Sequence, residues 1–575
     1  MIDNRPDRWD LEADFVAVGS GIGGLAAAIA ARELGLQSVV LERSPKLGGV
    51  TALSMGELWV PDNDLARARG IEDSAERAYR YLARLSLGYG SDEAIYNFTL
   101  HGREALAWFA ERIGFETMLV EGCPDYYYGV VEEAVAEGRL LEPAPFPAAE
   151  LGEWRERTRV SPQLPYGMTH ADIAAGGGVA NIARWDFARM GERLARDERC
   201  LGPALAARFV KGALARRIPL FVDTAVEELI ADGRRVVGVR ARREGRPYFV
   251  RASRGVLIAT SSYERRQDYN RTLGRQLELG SMVFSAVDGA NFRLAGPLGA
   301  RPATVPDVTS LGFVVPGEED EEGHPLWRSA LQTIGQPHVI VVNRRGRRFG
   351  DEAFYRDLYY AVDRIDGGRQ EHPNFPCFMI FDRQARAKYP IGPILPDQRW
   401  PEGLGMVAES LEELARQAGI DPAGLVAEVA EFNRHAREGR DPAFGRGSRP
   451  WSHWMCGDPH QRPNPNLGTL EEPPFFCVPL KRLGGSAIPA TGLLTDRHAR
   501  VIGWDDAPIS GLYAAGNAAA RLETGAMMQS GISNARGMVH GWLAAHHAAG
   551  CPSRRLEEAL AELGGLPGAA WEVVS

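Results

Sequence analysis

The chain has 575 residues, 45% of them apolar and 25% charged, with a formal net charge of −9. That length exceeds what one hydrophobic core serves, so about two to four domain-sized units are expected, and the composition excludes long disorder. Net acidity disfavours nucleic acid, whose partners carry basic patches; the run "RRGRRF" (Arg344 to Phe349) is local and diluted by acids. Six scattered cysteines (Cys123, Cys200, Cys377, Cys456, Cys477 and Cys551) form no CxxC pair. Neither a disulfide framework nor a metal site is indicated, and a reducing cytoplasm is expected. No apolar run approaches the ~20 residues of a membrane helix. The start, "MIDNRPDRWDLEAD", is acidic and polar, unlike a signal peptide.

Phe15 to Val18 reads as a short buried strand. Gly19, Gly21 and Gly24 follow as G-x-G-x-x-G, with Ser20 and Gly23 in the same loop, and an alanine-rich helix runs to Leu34. A second strand, Ser38 to Leu41, ends at Glu42-Arg43. The first glycine makes the tight turn, the second admits a pyrophosphate, and the third lets helix pack on strand. The helix N-terminus offers free N–H groups and partial positive charge to phosphates. Glu42, at the end of the second strand, suits a ribose hydroxyl. A dinucleotide is the expected ligand. Next, "SPKLGGVTALSMGELWVP" sets Gly48-Gly49 beside the small Thr51, Ala52 and Ser54, letting the chain pass close to a large flat ligand.

This continuation resembles the FAD-dependent fumarate reductase and succinate dehydrogenase flavoprotein superfamily, whose 3-ketosteroid dehydrogenase branch has a similar GG-T-A-S-GG-WVP run. The resemblance extends over about residues 13 to 548. It implies an α/β fold: a Rossmann-like FAD-binding domain with an inserted α+β substrate (capping) domain. The expected division is residues 1–275 and 471–575 for FAD and 276–470 for substrate. Some relatives attach FAD through a histidine in this stretch; this chain has none before His101, so non-covalent FAD is expected.

Further along, "CPDYYYG" (Cys123 to Gly129) sets three phenols in a row. Most tyrosines are core residues, and an extended segment would put Tyr126 and Tyr128 on one face. His170, in "YGMTHADI", reads as a surface or satisfied polar residue, and Trp59 as packing near the flavin. Leu220 to Ile230 and Arg254 to Ser262 look like returning strands. The resemblance puts the backbone of Val226 at the adenine and closes Ala259-Thr260 over the nucleotide. Where the family has Gly-Gly-Phe, this chain has Ser261-Ser262-Tyr263. In the middle, a helical pattern carries apolar Leu411, Leu414, Ala415, Leu425 and Val429. Gly511 to Ala520 resembles the last strand, with Gly516 and Asn517 at the pyrophosphate. The final helix, with Gly531 and Ile532 at its start, would aim its positive end at the flavin.

The branch's chemistry removes hydrogens α,β to a ketone, which needs a base and donors at the carbonyl oxygen. The resemblance implies two tyrosines for the proton, and a third tyrosine with a glycine N–H for the ketone. Tyr355 follows Gly346, Arg348-Phe349 and Asp351-Glu352 and matches the base, with Tyr359 and Tyr360 open. Tyr126 matches its partner, with Tyr128 as the fallback. The third tyrosine falls on Met527 and the glycine on Gly531. Methionine donates no hydrogen bond, and losing one such donor typically costs about 2.7–4 kcal/mol in the transition state. A fumarate-type site needs imidazole and cationic donors, yet "IPATG" (Ile488 to Gly492) has no histidine, and Arg347 and Arg356 read as solvated charge. Three readings stand: desaturation of a cyclic ketone, steroidal or smaller, with an acceptor the sequence does not name; reduction of an activated alkene; and flavin binding without catalysis. The sequence does not give an oligomeric state.

Overall fold

The computed structural model describes residues 2–163, 167–274, 276–307, 310–396, 398–484 and 488–567. Among these, nine strands form one sheet built around a parallel run. Leu11–Val18 pairs in parallel with Ser38–Leu41 on one side and Arg246–Ile258 on the other, and the latter pairs in parallel with Pro508–Ala514. The register aligns Val18 with Leu41 and Ile258, and Ile258 with Ala514. Four strands therefore end together at one carboxyl edge, where open α/β sheets bind ligands. Thr224–Gly233 and Arg235–Arg243 extend the sheet as an antiparallel meander.

The helix Ile22–Glu33 is buried from Ile22 to Ala31. It packs on Ile532–Ala548, the helix expected to be final, which a shorter one, Arg555–Leu563, in fact follows. Small residues make this possible: a Cβ on Gly541 would lie 2.5 Å from the Gly23 carbonyl oxygen.

A second sheet of six strands comprises Pro325–Ser329, Ser310–Glu319, Phe475–Leu483, Cys377–Asp382, Val339–Asn343 and Met406–Ala408. Its two faces follow the alternation of strand side chains. Ile340, Val342, Phe378 and Ile380 pack under the helices Leu411–Ala418 and Pro422–Arg437. Val339, Val341, Met379 and Phe381 face the cluster that holds Tyr355, Leu358 and Tyr359. The boundary expected at 470 is corrected here, because Phe475–Leu483 lies inside this sheet between Ser310–Glu319 and Cys377–Asp382. The boundary expected at 276 is early by the same measure: Ala290–Ala295 packs on the first sheet's core. Among the described residues no helix is long and apolar enough to cross a membrane. All six cysteines are free, and only Cys551 is exposed.

Candidate active site

A cavity runs along the carboxyl edge of the first sheet and ends against the second domain. Its wall includes Gly19, Ser20, Gly21, Gly23, Glu42, Arg43, Gly49, Thr51 and Ser54. Val226, Ala259, Thr260, Gly516, Asn517 and Gly531 complete the expected cofactor set on this wall. Four expected residues do not reach it. Gly24 is a packing residue, since its Cβ would lie 2.0 Å from the Gly19 carbonyl oxygen. Gly48 and Ala52 lie behind the wall, and the Ile532 side chain turns into the hydrophobic core.

Glu42 holds the glycine loop together. Its carboxylate accepts hydrogen bonds from Ser20 N (2.9 Å), Ser20 Oγ (2.7 Å) and Ser44 N (2.8 Å). Ser20 Oγ in turn accepts from Gly48 N at 3.1 Å. Both helices that start at the cavity have glycine N-caps without a capping side chain, Gly21 and Gly531. Ile22 N donates to Thr51 Oγ1 and Ile532 N to the Gln529 carbonyl, so it is the positive ends of the helices that face a ligand. Thr260 Oγ1, Ser261 Oγ and Asn517 Oδ1 are buried without protein partners. Positive helix ends and orphaned polar atoms around one elongated cavity fit FAD. Ser261-Ser262-Tyr263 departs from the family's glycines without closing the site: Ser261 is on the wall, and Tyr263 Oη accepts from Thr491 N. Removing the Glu42 carboxylate orphans three donors, and hydrogen bonds to charged groups are worth about 1.5–3 kcal/mol each. Glu42→Ala is therefore expected to weaken FAD retention about tenfold or more, read as flavin lost on gel filtration while the far-UV circular dichroism stays unchanged.

At the other end of the cavity stand three phenols, Tyr126, Tyr355 and Tyr359. Tyr355 Oη donates to Tyr126 Oη at 3.1 Å, and Tyr126 Oη donates to Ser530 Oγ at 3.0 Å. The two rings meet edge to face at 5.8 Å, with Trp451 against both. Gln529 Oε1 accepts from Tyr126 N and from Tyr81 Oη, which ties the tyrosine turn to the loop before the helix Ile532–Ala548. Burial pushes Tyr355 well above the ordinary phenol range, reinforced by Tyr126 and opposed by the Arg356 charge. Burial also raises Tyr126, with the Glu57 carboxylate adding to it and the hydrogen bonds with Ser530 and Tyr355 opposing it. Tyr359 is pushed up to about 12 by burial, and accepts from Ser310 Oγ at 3.0 Å.

Tyr355 is the first residue of the helix Tyr355–Val362. Asp351 Oδ1 accepts from Ala353 N and Phe354 N just before it. Glu352 accepts from Val341 N, from Arg348 twice and from Arg446, and Arg348 also binds Asp441. Burial would raise the Glu352 carboxyl, but the two guanidinium groups hold it below the usual range. The RF-x-DE segment is thus a buried ionic anchor that fixes where the helix carrying Tyr355 begins.

Several expectations need correction. Residues 126–129 form turns rather than an extended segment, so Tyr128 does not share a face with Tyr126 and is 37% exposed. Tyr127 packs edge to face on Phe354. Met527 is 2% exposed in the core, and of the two adjacent methionines it is Met528 that reaches the cavity wall. Arg356 is buried and donates to Ala526 O and Tyr360 Oη rather than to water. Tyr360 points away to the Ala526 carbonyl. Trp59 does not line the cavity; its Nε1 donates to Asp125.

A second cavity, about 660 Å³, adjoins the first, within the roughly 300–1,000 Å³ of small-molecule sites. Met55, Glu57, Met282, Leu331 and Ser530 belong to both walls. Its lining is mainly apolar, with Ile173, Val179, Ile182, Trp185 and Trp454. His170 lies on this wall and is buried, contrary to the surface reading. Met55, Glu57, Gln529 and Ser530 were not singled out from sequence. The only signal was the departure of Met55 and Glu57 from the small residues around them.

A nucleotide edge, a phenol pair at its far end and an apolar chamber beside it define a two-domain flavin-dependent oxidoreductase. The chain belongs to the FAD binding domain family, whose model matches residues 14–533. It is an FAD-dependent oxidoreductase of the class acting on CH–CH groups. It is similar to a 3-oxosteroid 1-dehydrogenase of Mycobacterium tuberculosis, 30% identical over 95% of this chain and 99% of that protein. A 4-oxocyclohexanecarboxylate 2-dehydrogenase of Sinomonas cyclohexanicum is also 30% identical, over 93% of each chain. Among solved structures, a 3-ketosteroid Δ1-dehydrogenase from Sterolibacterium denitrificans in complex with 1,4-androstadiene-3,17-dione has a TM-score of 0.86 and 29% identity, covering 94% of this chain and 99% of that one. An enzyme class displaces the reading of flavin binding without catalysis.

Proposed function

We propose that the chain desaturates a cyclic ketone, 3-ketosteroid-like or smaller, at the bond α,β to the carbonyl, with FAD held non-covalently. The observation that carries this reading is the buried Tyr355–Tyr126 hydrogen bond at the flavin end of the cavity. Bound FAD supplies the hydride acceptor, its N5 atom. Tyr355 takes the α-proton, and Tyr126 takes up the proton that Tyr355 gives away. Burial keeps both phenols protonated near neutral pH, so Tyr355 gains a proton only as it sheds its own. Arg356, buried beside Tyr355, steadies the phenolate character that develops meanwhile.

Gly531 offers its backbone N–H and the positive end of the helix Ile532–Ala548 to the ketone oxygen. Glycine is required there, with φ of +82° and a Cβ that would lie 2.5 Å from Trp59 N. The apolar second chamber receives the rest of the ring system. Six free cysteines suit a reducing compartment.

Turnover with an artificial electron acceptor tests the reaction. 4-Androstene-3,17-dione or 4-oxocyclohexanecarboxylate should yield a product lighter by two hydrogens. Recovery of both ketones unchanged, alongside reduction of an alkene by the dithionite-reduced enzyme, would favour the reverse chemistry. Non-covalent binding has its own test. No histidine or cysteine is among the described residues lining the FAD cavity, so acid precipitation should release all the flavin to the supernatant. Yellow colour retained by the denatured chain would contradict it.

A further inference from the structure

The hydrogen-bond chain that begins at Tyr355 does not stop at Tyr126. It continues to Ser530 Oγ, each hydroxyl donating to the next, and Ser530 stands in the wall common to both cavities. Glu57 stands in the same wall. Its Oε1 lies 3.3 Å from His170 Nε2, with the two side chains 8% and 6% exposed. His170 Nε2 is buried, and the contact falls short of hydrogen-bond geometry. The backbone that carries the imidazole is fixed, since His170 N and Ala171 N both donate to the Glu142 carboxylate, and the ring itself stacks on Trp454. An acid and an imidazole buried together are costly without a purpose, and His170 has no place in the FAD wall.

We propose that Ser530 and the Glu57–His170 pair are the outlet of the phenol relay, receiving at the second cavity the proton that Tyr355 removes from the substrate. The inference rests on the proposed desaturation. In that reaction the α carbon loses a proton, the neighbouring carbon loses a hydride to the cofactor, and the electrons of the α C–H bond become the new π bond. Tyr355 gains the proton while passing its own to Tyr126. Tyr126 passes its own to Ser530, and Ser530 passes its own to a cavity water, whose proton goes to the Glu57–His170 pair. Both phenols and the serine end neutral, and the pair ends one proton richer. Waters bridge polar groups in such walls at little cost. Glu57, His170 and Ser530 act through Tyr126 and are positioning residues.

Anaerobic stopped-flow reduction of bound FAD by 4-androstene-3,17-dione and by 4-oxocyclohexanecarboxylate tests the outlet, with Tyr355→Phe measured alongside. Ser530→Ala, Glu57→Gln and His170→Ala should each slow reduction about 10- to 100-fold, less than the loss of Tyr355 itself. FAD content and the ketone concentration giving half the maximal rate should not change. Ser530→Thr, which keeps the hydroxyl, should run near wild-type speed, and added imidazole should restore much of the rate of His170→Ala. Wild-type rates in Ser530→Ala and Glu57→Gln beside a slow Tyr355→Phe would overturn the outlet while leaving the base in place. Equal slowing of Ser530→Ala and Ser530→Thr, without recovery by imidazole, would overturn it as packing damage. A wild type whose FAD neither ketone reduces would defeat the proposed reaction, and the relay with it. A Tyr355→Phe enzyme as fast as wild type would leave the desaturation standing but overturn Tyr355 as the base, and the relay with it.

Discussion

Tyr355→Phe is expected to retain FAD and to lower ketone turnover by about 10²–10⁴, the usual worth of a positioned acid or base. The substitution keeps the ring, so contacts with Tyr126, Tyr359 and Trp451 survive and only the hydroxyl bonded to Tyr126 is lost. Fold and flavin content should be unchanged. Tyr126→Phe should cost less, because Tyr355 remains to take the proton and water in the cavity can accept the one it sheds. Tyr127→Phe, whose ring packs on Phe354, should be nearly silent. Steady-state kinetics with flavin content measured in the same samples checks all three. Full activity in Tyr355→Phe would move the search to Tyr359, which lines the same cavity.

Glu352→Gln is expected to be the most damaging change away from the cavity. The carboxylate is fully buried and neutralises two buried guanidinium groups, Arg348 and Arg446. Breaking a buried pair by removing one partner typically costs about 3–5 kcal/mol, because the remaining charge is left uncompensated. For a domain of this size that is a fall in melting temperature of roughly 6–20 °C. Asp441 still pairs with Arg348, which favours the lower part of the range. The same anchor sets the start of the helix Tyr355–Val362, so activity should fall even below the new melting point. Differential scanning calorimetry on the FAD-loaded protein is the measurement, and an unchanged transition would remove the anchor from the account.

The nucleotide edge was legible because each part has a mechanical reason to be where it is. The second strand was placed at its observed bounds, Ser38–Leu41, and Glu42 sits where the register ends. Buried parallel strands and glycine turns leave few alternatives. The phenol pair was reached through resemblance, and the structure sets the Tyr355 and Tyr126 hydroxyls 3.1 Å apart. What stayed hidden lies in irregular backbone. No periodicity says which of Met527 and Met528 faces the cavity, and a turn rather than a strand decided between Tyr126 and Tyr128. Glu57 and His170 are 113 residues apart in sequence, so nothing local marks them as a pair. The boundary at 470 missed Phe475–Leu483 because a strand in the middle of a second sheet reads like any other buried strand.

The most direct measurement is anaerobic titration of the oxidised enzyme with 4-androstene-3,17-dione and 4-oxocyclohexanecarboxylate, following the flavin absorbance. The account predicts that one of these ketones bleaches the bound FAD in equal proportion to the desaturated product formed, and that the Tyr355→Phe enzyme stays yellow over the same interval. Flavin that stays oxidised in the intact enzyme with both ketones, or that bleaches equally fast without the Tyr355 hydroxyl, would contradict it.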